Sequence, residues 1–505
     1  MGSRTRASAI ASAGPPRSTS SPNSGSCTSG TSDPRDERGL VAEALRLALR
    51  EAESYLARLD TDRIAGPDTF GTAAALGGGL PERGVGTLAA IRELAAAHPA
   101  ALRSSGPRFF HWVVGGGTPA ALAADWLTST YDQNAFAWES SPLGTRLEEL
   151  AIEWLKDLFA LPPAWGGVLT TGATMANFTA LAAARRWWAQ RHGADADARG
   201  LAGLPAVPVF SSGYLHASAT KALAMLGIGR DSAQRLSQDA VGRLDLAALE
   251  DALGGLRGAP AILIANAGEV NAGDFDPINA MADLAERYGA WLHVDGAFGL
   301  FVRVTPAAVE PGDGIERADS VIADGHKWLN VPYDSGFAFV RDRSLLAGAF
   351  TLSGAYLPAP GERASFGYLG PEASRRARGL AVWATLRAYG RAGYRAMVER
   401  HLALARRLAA RVDDAPDLER LADVRLNIVC LRFHPPGVAD ADLDALNTRI
   451  GAAILEDGRV YVGTTKYGGR VAFRPAIVNW RTSEADVDLI TDVIRELGAR
   501  ALVAP

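Results

Sequence analysis

The chain has 505 residues and a formal net charge of −4 at pH 7, from 52 Lys and Arg against 56 Asp and Glu. With 48% hydrophobic residues it is long enough for a large core and more than one domain. Neither the charge balance nor a basic run points to nucleic acid or an anionic membrane, and no apolar stretch is long enough to span a bilayer. Cys27 and Cys430 are too few for a disulfide framework, and no Cys/His cluster has metal-binding spacing.

Residues 1 to 37 are rich in Ser, Gly, Pro, Thr and Arg and poor in large apolar side chains, which predicts a disordered tail. The tail lacks the apolar segment of a secretory signal, so a cytoplasmic protein is expected. Residues 38–105 read as a helical segment. In it Val41, Leu45, Ala48, Leu49, Ala52 and Leu56 recur at helix-face spacing, and a second helix is predicted from Gly86 to Ala97.

From residue 106 to 385, strands and helices alternate, which predicts a large α/β domain around a mainly parallel sheet. Gly167-Val168-Leu169-Thr170-Thr171-Gly172-Ala173-Thr174 reads as a strand turning into a helix over Ala176–Gln190. That turn aims free N–H groups at an anion, with Thr171 and Thr174 as further donors. Val207–Phe210 and Ala261–Ala265 are predicted strands; His216 stands at a helix entrance, where it can cap. Ala290–Val294 is an apolar run ending at Asp295, and Ser320–Ala323 is another, running through Asp324-Gly325-His326 to Lys327. A further strand is predicted over Phe337–Val340, and a flexible stretch from Ala355 to Leu369. Residues 386–505 read as a smaller α+β domain with strands at Asn427–Cys430 and Val471–Arg474 and a last helix over Glu484–Leu497.

The chain has only four lysines, Lys156, Lys221, Lys327 and Lys466, and Lys327 alone follows a buried-looking strand. Unlike an arginine guanidinium, a lysine amine can lose its proton and attack a carbonyl. A lysine at one strand end and an acid, Asp295, at another are the two groups that pyridoxal phosphate (PLP) requires of a protein.

His293-Val294-Asp295-Gly296-Ala297 followed by Asp324-Gly325-His326-Lys327-Trp328 resembles the group II PLP-dependent amino-acid decarboxylases, the family of aromatic-L-amino-acid and glutamate decarboxylases. The resemblance extends over residues 40 to 500. It implies the PLP-dependent transferase fold of type I, with a seven-stranded, mainly parallel sheet and a small C-terminal α+β domain. It implies that Lys327 holds the cofactor aldehyde, that Asp295 faces the ring nitrogen, and that His216 stacks on the ring opposite Ala297. Ala173, Thr174 and His326 then serve the phosphate, and the cofactor contact made by a loop threonine in many relatives is lost here or passes to Asn271. Asp324 stands where relatives often carry asparagine. His111 and Arg474 are implied at the substrate, beside aromatic residues Phe109, Phe110 and Trp112. Phe366 and Tyr368 both lie near the place of the family's catalytic-loop tyrosine, and Tyr368 is the candidate for returning a proton to the product. The implied activity is decarboxylation of an L-amino acid, aromatic favoured, to its amine in a homodimer. A decarboxylating aldehyde synthase, an aminotransferase, a carbon–carbon lyase and a PLP-binding protein without turnover remain open alternatives.

Overall fold

The computed structural model describes residues 33–66, 69–306, 310–352, 354 and 363–503. Most of the tail, residues 1–32, lies outside the described residues; Pro34–Leu40 within it forms a 3₁₀ helix capped by Asp33.

The described chain divides into two compact units. One contains the described residues up to 53 together with residues 75–98. Within it the Glu37 carboxylate accepts the Thr87 N–H at 3.0 Å, fastening the first turn to α3 (Thr87–Ala96). The long helix α1 (Val41–Ala57) begins in this unit and has no buried residue; its apolar positions Val41, Leu45 and Leu49 are 60%, 56% and 43% exposed. The helix α2 (Thr69–Ala75) lies between α1 and α3 in the chain.

The other unit holds both sheets. The first contains β1 (Gly166–Thr170), β2 (Val209–Ser211), β3 (Ala233–Arg235), β4 (Ile262–Asn266), β5 (Trp291–Asp295), β6 (Ser320–Asp324) and β7 (Gly336–Val340). Its order is β1-β7-β6-β5-β4-β2-β3, parallel from β6 through β3 and antiparallel at β7 and β1. β1, β4, β5, β6 and β7 are buried along their whole length, which accounts for their continuous apolar reading. The helices of this region are α4 (Pro119–Tyr131), α5 (Pro142–Leu158), α6 (Ala173–Arg191), α7 (Ala196–Arg199), α8 (Ala217–Met225), α9 (Leu246–Gly255), α10 (Ile278–Tyr288) and α11 (Arg343–Ala349).

The second sheet is antiparallel, ordered β10 (Thr464–Tyr467), β11 (Arg470–Phe473), β9 (Leu431–Phe433) and β8 (Leu418–Arg420). It packs with α13 (Asp440–Asp457) and α14 (Glu484–Val503), while α12 (Gly379–Asp413), broken at Gly390, leads into it. The strand expected at Asn427–Cys430 lies at Leu431–Phe433 instead. Residues 427–430 are buried, but Asn427 uses its side chain and backbone on Ile477 rather than on a ladder. The flexible stretch expected over Ala355–Leu369 falls partly outside the described residues; Phe366–Tyr368, inside them, is a buried 3₁₀ turn.

The register places the polar strand ends side by side. Asp295 pairs with Ile322 across β5 and β6, while Asp324 and Thr170 both face Gly336 of β7. Gly172, at φ +151°, carries the chain over Gly336, where an added Cβ would lie 2.5 Å from the Gly172 Cα. Two glycines in contact thus let α6 start directly above the end of β6.

Candidate active site

Asp324 is the centre of one half of the site. It is 2% exposed, and its Oδ1 accepts the Ala173 N–H at 2.6 Å, at the N-terminus of α6. Its Oδ2 lies 2.9 Å from Lys327 Nζ, and its Oδ1 lies 3.5 Å from His326 Nε2. A carboxylate at a helix N-terminus is favourable, because the terminal N–H groups carry partial positive charge. This acid, standing where relatives often carry asparagine, is bonded to a helix end and to the lysine. The first N–H expected to serve the phosphate, that of Ala173, is taken by Asp324.

Lys327 remains partly accessible and points its ammonium toward the Phe298 ring, 5.8 Å from the centroid. His326 stacks on Tyr333 at 4.2 Å and accepts the Ser335 N–H on Nδ1; burial holds its imidazole below the usual value. Trp328, fully buried, donates its indole N–H to His401 at 2.8 Å and thereby anchors the chain beyond the lysine.

Asp295 organises the other half. It is 6% exposed, its Oδ1 accepts the Ala297 N–H at 3.2 Å and its Oδ2 accepts an Asn177 amide N–H at 2.9 Å. Ala297 joins the halves, since its carbonyl accepts the Asp324 N–H at 2.8 Å. Asn177 stands one turn along α6 from Ala173 and so on the same helix face. Asn177 also donates to Ser218 Oγ at 3.2 Å, and Ser218 Oγ lies 2.7 Å from His216 Nδ1. His216 caps α8, accepting the Ser218 N–H. Its imidazole is pushed below the usual value, first by the protein around it; Asp295 and Asp324 oppose that shift, Lys327 and Arg474 add to it.

Arg474, just after β11, is 7% exposed, and its Nη1 is buried with no hydrogen-bond partner among the described residues. Burial lowers its pKa, with Glu269 and Cys430 opposing. His111 shares that state: its Nδ1 is buried without a partner, and burial together with the Arg474 charge pulls it down to about 4. A buried cationic nitrogen with no partner is costly unless an anion completes it.

Other expected residues are not drawn in. Asn271 is held elsewhere: its amide donates to Glu269 at 2.5 Å and its carbonyl accepts the Thr465 hydroxyl at 2.5 Å. Tyr368 is buried with Phe136 and Ala137, its ring edge-on to Phe136 at 5.1 Å, so it packs in its own cluster. Phe110 belongs to the core of the small domain and Phe109 stacks on Tyr461 at 4.8 Å, so both are packing residues. Thr174 is half-buried in the first turn of α6. The sequence reading passed over Ser218, His293 and Ser320 as site residues; their polar character inside apolar or helical runs was the available signal.

These residues fit PLP. An amine and a carboxylate stand on adjacent strand ends, a helix N-terminus opens beside the amine, and an unpartnered buried guanidinium faces the same histidines.

Comparison with known proteins agrees. Residues 97–434 match the pyridoxal-dependent decarboxylase conserved domain. The chain is similar to an aromatic-L-amino-acid decarboxylase of Bacillus atrophaeus, 30% identical over 79% of this chain and 82% of that one. It is also similar to an L-2,4-diaminobutyrate decarboxylase of Rhizobium meliloti, 32% identical over 83% of each. Among solved structures, Oryza sativa TDC with PLP and tryptamine superimposes with a TM-score of 0.84 at 25% identity, covering 92% of this chain and 98% of that one. The type I fold, the PLP cofactor and the carboxy-lyase activity on an amino acid follow from these likenesses taken together. The chain belongs to the family of pyridoxal-dependent decarboxylases.

Proposed function

We propose that the protein converts an aromatic L-amino acid to its amine and CO₂, with Lys327 holding the cofactor aldehyde, Asp295 its ring nitrogen, and Arg474 and His111 the substrate carboxylate. The observation that carries this reading is the Arg474 guanidinium, buried without a partner beside a histidine whose own Nδ1 is unpartnered. An anionic substrate group would satisfy both. The rings of His111, Trp112 and Tyr461 lie 4.5–6.1 Å from one another and offer an aromatic side chain a wall beside that guanidinium. Relatives named for aromatic amino acids and tryptophan support the same class.

Bound PLP supplies the sink for the electrons of the breaking Cα–carboxylate bond. The residues do the rest. Asp295, held by two N–H donors, keeps a negative charge where the ring nitrogen needs an opposite one. His326 and the α6 entrance would hold the phosphate, and Arg474 would hold and orient the substrate carboxylate. Lys327 Nζ, 2.9 Å from the Asp324 carboxylate, would hold the cofactor aldehyde.

A homodimer is part of the proposal. The exposed stripe of Val41, Leu45 and Leu49 on α1 is a surface for a second copy of the chain. The free, buried Cys430 thiol suits a cytoplasmic setting. Incubation of the PLP-loaded protein with a panel of L-amino acids, with amine and CO₂ measured together, tests the function. Equal yields of the two from an aromatic substrate are expected. Aldehyde and peroxide as the main products, or turnover confined to acidic or diamino acids, would overturn it.

A further inference from the structure

A chain of buried polar side chains runs behind the site, and donor inventory fixes its direction. The Trp291 indole can only donate, and it donates to Ser320 Oγ at 3.0 Å. Ser320 Oγ lies 2.8 Å from His293 Nδ1, and His293 Nε2 lies 2.8 Å from Asn177 Oδ1. His293 is fully buried, and burial drops its imidazole to about 4, so near neutrality it carries one ring proton. The Asp295 carboxylate can only accept, so Asn177 turns its NH₂ toward it and its carbonyl toward His293. The His293 proton must then sit on Nε2, with Nδ1 accepting from the Ser320 hydroxyl. The second Asn177 N–H goes to Ser218 Oγ, which leaves the Ser218 hydroxyl proton for His216 Nδ1. The Ser218 backbone N–H reaches the same nitrogen at 3.2 Å. With Nδ1 accepting from both donors on Ser218, the His216 proton belongs on Nε2, away from Ser218.

We propose that Asn177 is a positioning residue that sets two cofactor-facing groups at once: it donates to the Asp295 carboxylate, and through Ser218 it holds His216 as the neutral tautomer with its proton on Nε2. This rests on the reading that His216 and Asp295 flank the cofactor. The functional consequence follows from charge. The groups facing His216 are Asp295 at the end of β5, Asp324 and Lys327 at the end of β6, and Arg474 after β11. A neutral N–H can orient the substrate carboxylate by one hydrogen bond. An imidazolium there would add a cation beside Lys327 and Arg474, which already oppose its protonation. A tautomer protonated on Nδ1 would present only a lone pair to the carboxylate.

The test uses full-length protein labelled with ¹⁵N-histidine and free of substrate, with the His216 signals identified by their loss in His216→Gln. In the wild type the ring is expected to show its proton on Nε2. In Ser218→Ala the hydroxyl donor to Nδ1 is gone but the backbone N–H remains, so the Nε2–H form is expected to stay in the majority with a measurable share of Nδ1–H, while the Kd for PLP stays within about twofold because the Asp295 hydrogen bond is untouched. In Asn177→Asp the new carboxylate accepts the Ser218 hydroxyl proton. His216 is then expected to shift toward Nδ1–H, and PLP binding to weaken by about tenfold or more. Ser218→Ala keeps the test open should Asn177→Asp fail to fold. A wild-type ring protonated on Nδ1, or an unchanged Nε2–H pattern in every folded variant, would overturn the proposal. Neither readout requires turnover, so failure here is distinct from failure to decarboxylate.

Discussion

Lys327 Nζ stands 2.9 Å from Asp324 Oδ2, while the other oxygen of the same carboxylate accepts the first N–H of α6 at 2.6 Å. One buried acid thus binds both the amine proposed to hold the cofactor and the helix end proposed to receive its phosphate. Removing the negative charge while keeping an acceptor separates these roles. In Asp324→Asn the amide oxygen can still accept from Ala173, but the like charge beside the phosphate is gone. Fluorescence titration is expected to show PLP binding about tenfold tighter, with little change for pyridoxal, which lacks the phosphate.

Arg474 should reveal itself in substrate binding. Arg474→Met preserves bulk but removes the unpartnered guanidinium. Steady-state amine production is expected to fall by roughly a hundredfold in kcat/KM, most of it in KM, since a carboxylate contact is made in the ground state. An unchanged kcat/KM would place Arg474 outside the substrate site.

Stability depends on a different pair. Arg375 and Glu148 are 2% and 1% exposed at their side chains and make two parallel hydrogen bonds of 2.7 and 3.1 Å. Arg375 also donates to the carbonyls of Ala135 and Leu169, and Glu148 accepts the Leu169 N–H of β1. Arg375→Met strands a buried carboxylate, at a cost of roughly 3–5 kcal/mol. Denaturant unfolding should show this as a lowered midpoint; a change below about 1 kcal/mol would mean that the pair is solvated.

His293 makes a pH-dependent contribution. Burial lowers its folded pKa to about 4 from the ordinary imidazole value of 6.5, so between these limits the unfolded chain binds a proton that the folded chain does not. The contribution of neutral His293 is complete above about 6.5 and is lost as the pH falls toward about 4. The buried Asp276, raised to about 6, acts in the opposite sense over part of that window, so the comparison must isolate the histidine. The difference in Tm between the wild type and His293→Gln is expected to grow from pH 4 to 6.5 and then level off. A flat difference would contradict it.

The sequence revealed the parts of the fold set by long apolar runs. The strands ending in Asp295 and Asp324 and the helix after Gly172 lie where the pattern placed them, because each strand is buried on both faces. The short, half-exposed β3 and β10 carry no such pattern and were not legible. Asp295 and Lys327 became candidates because the first ends an apolar run and the second follows one by a few residues. Asn177, Ser218 and Ser320 could not, since a single polar residue inside a helix or strand acquires meaning only from its partner 27 to 118 residues away. Tyr368 and Asn271 show the converse: suitable chemistry in a suitable loop does not reveal that the ring of the one packs on Phe136 and the amide of the other meets Glu269.

Borohydride reduction of the PLP-incubated protein, followed by peptide mapping, tests the site most directly, because the chain offers only four lysines. The expected result is a single reduced pyridoxyl group on the peptide containing Lys327, absent from Lys327→Ala. Label on Lys156, Lys221 or Lys466 in its place, or no label at all, would contradict the assignment of Lys327.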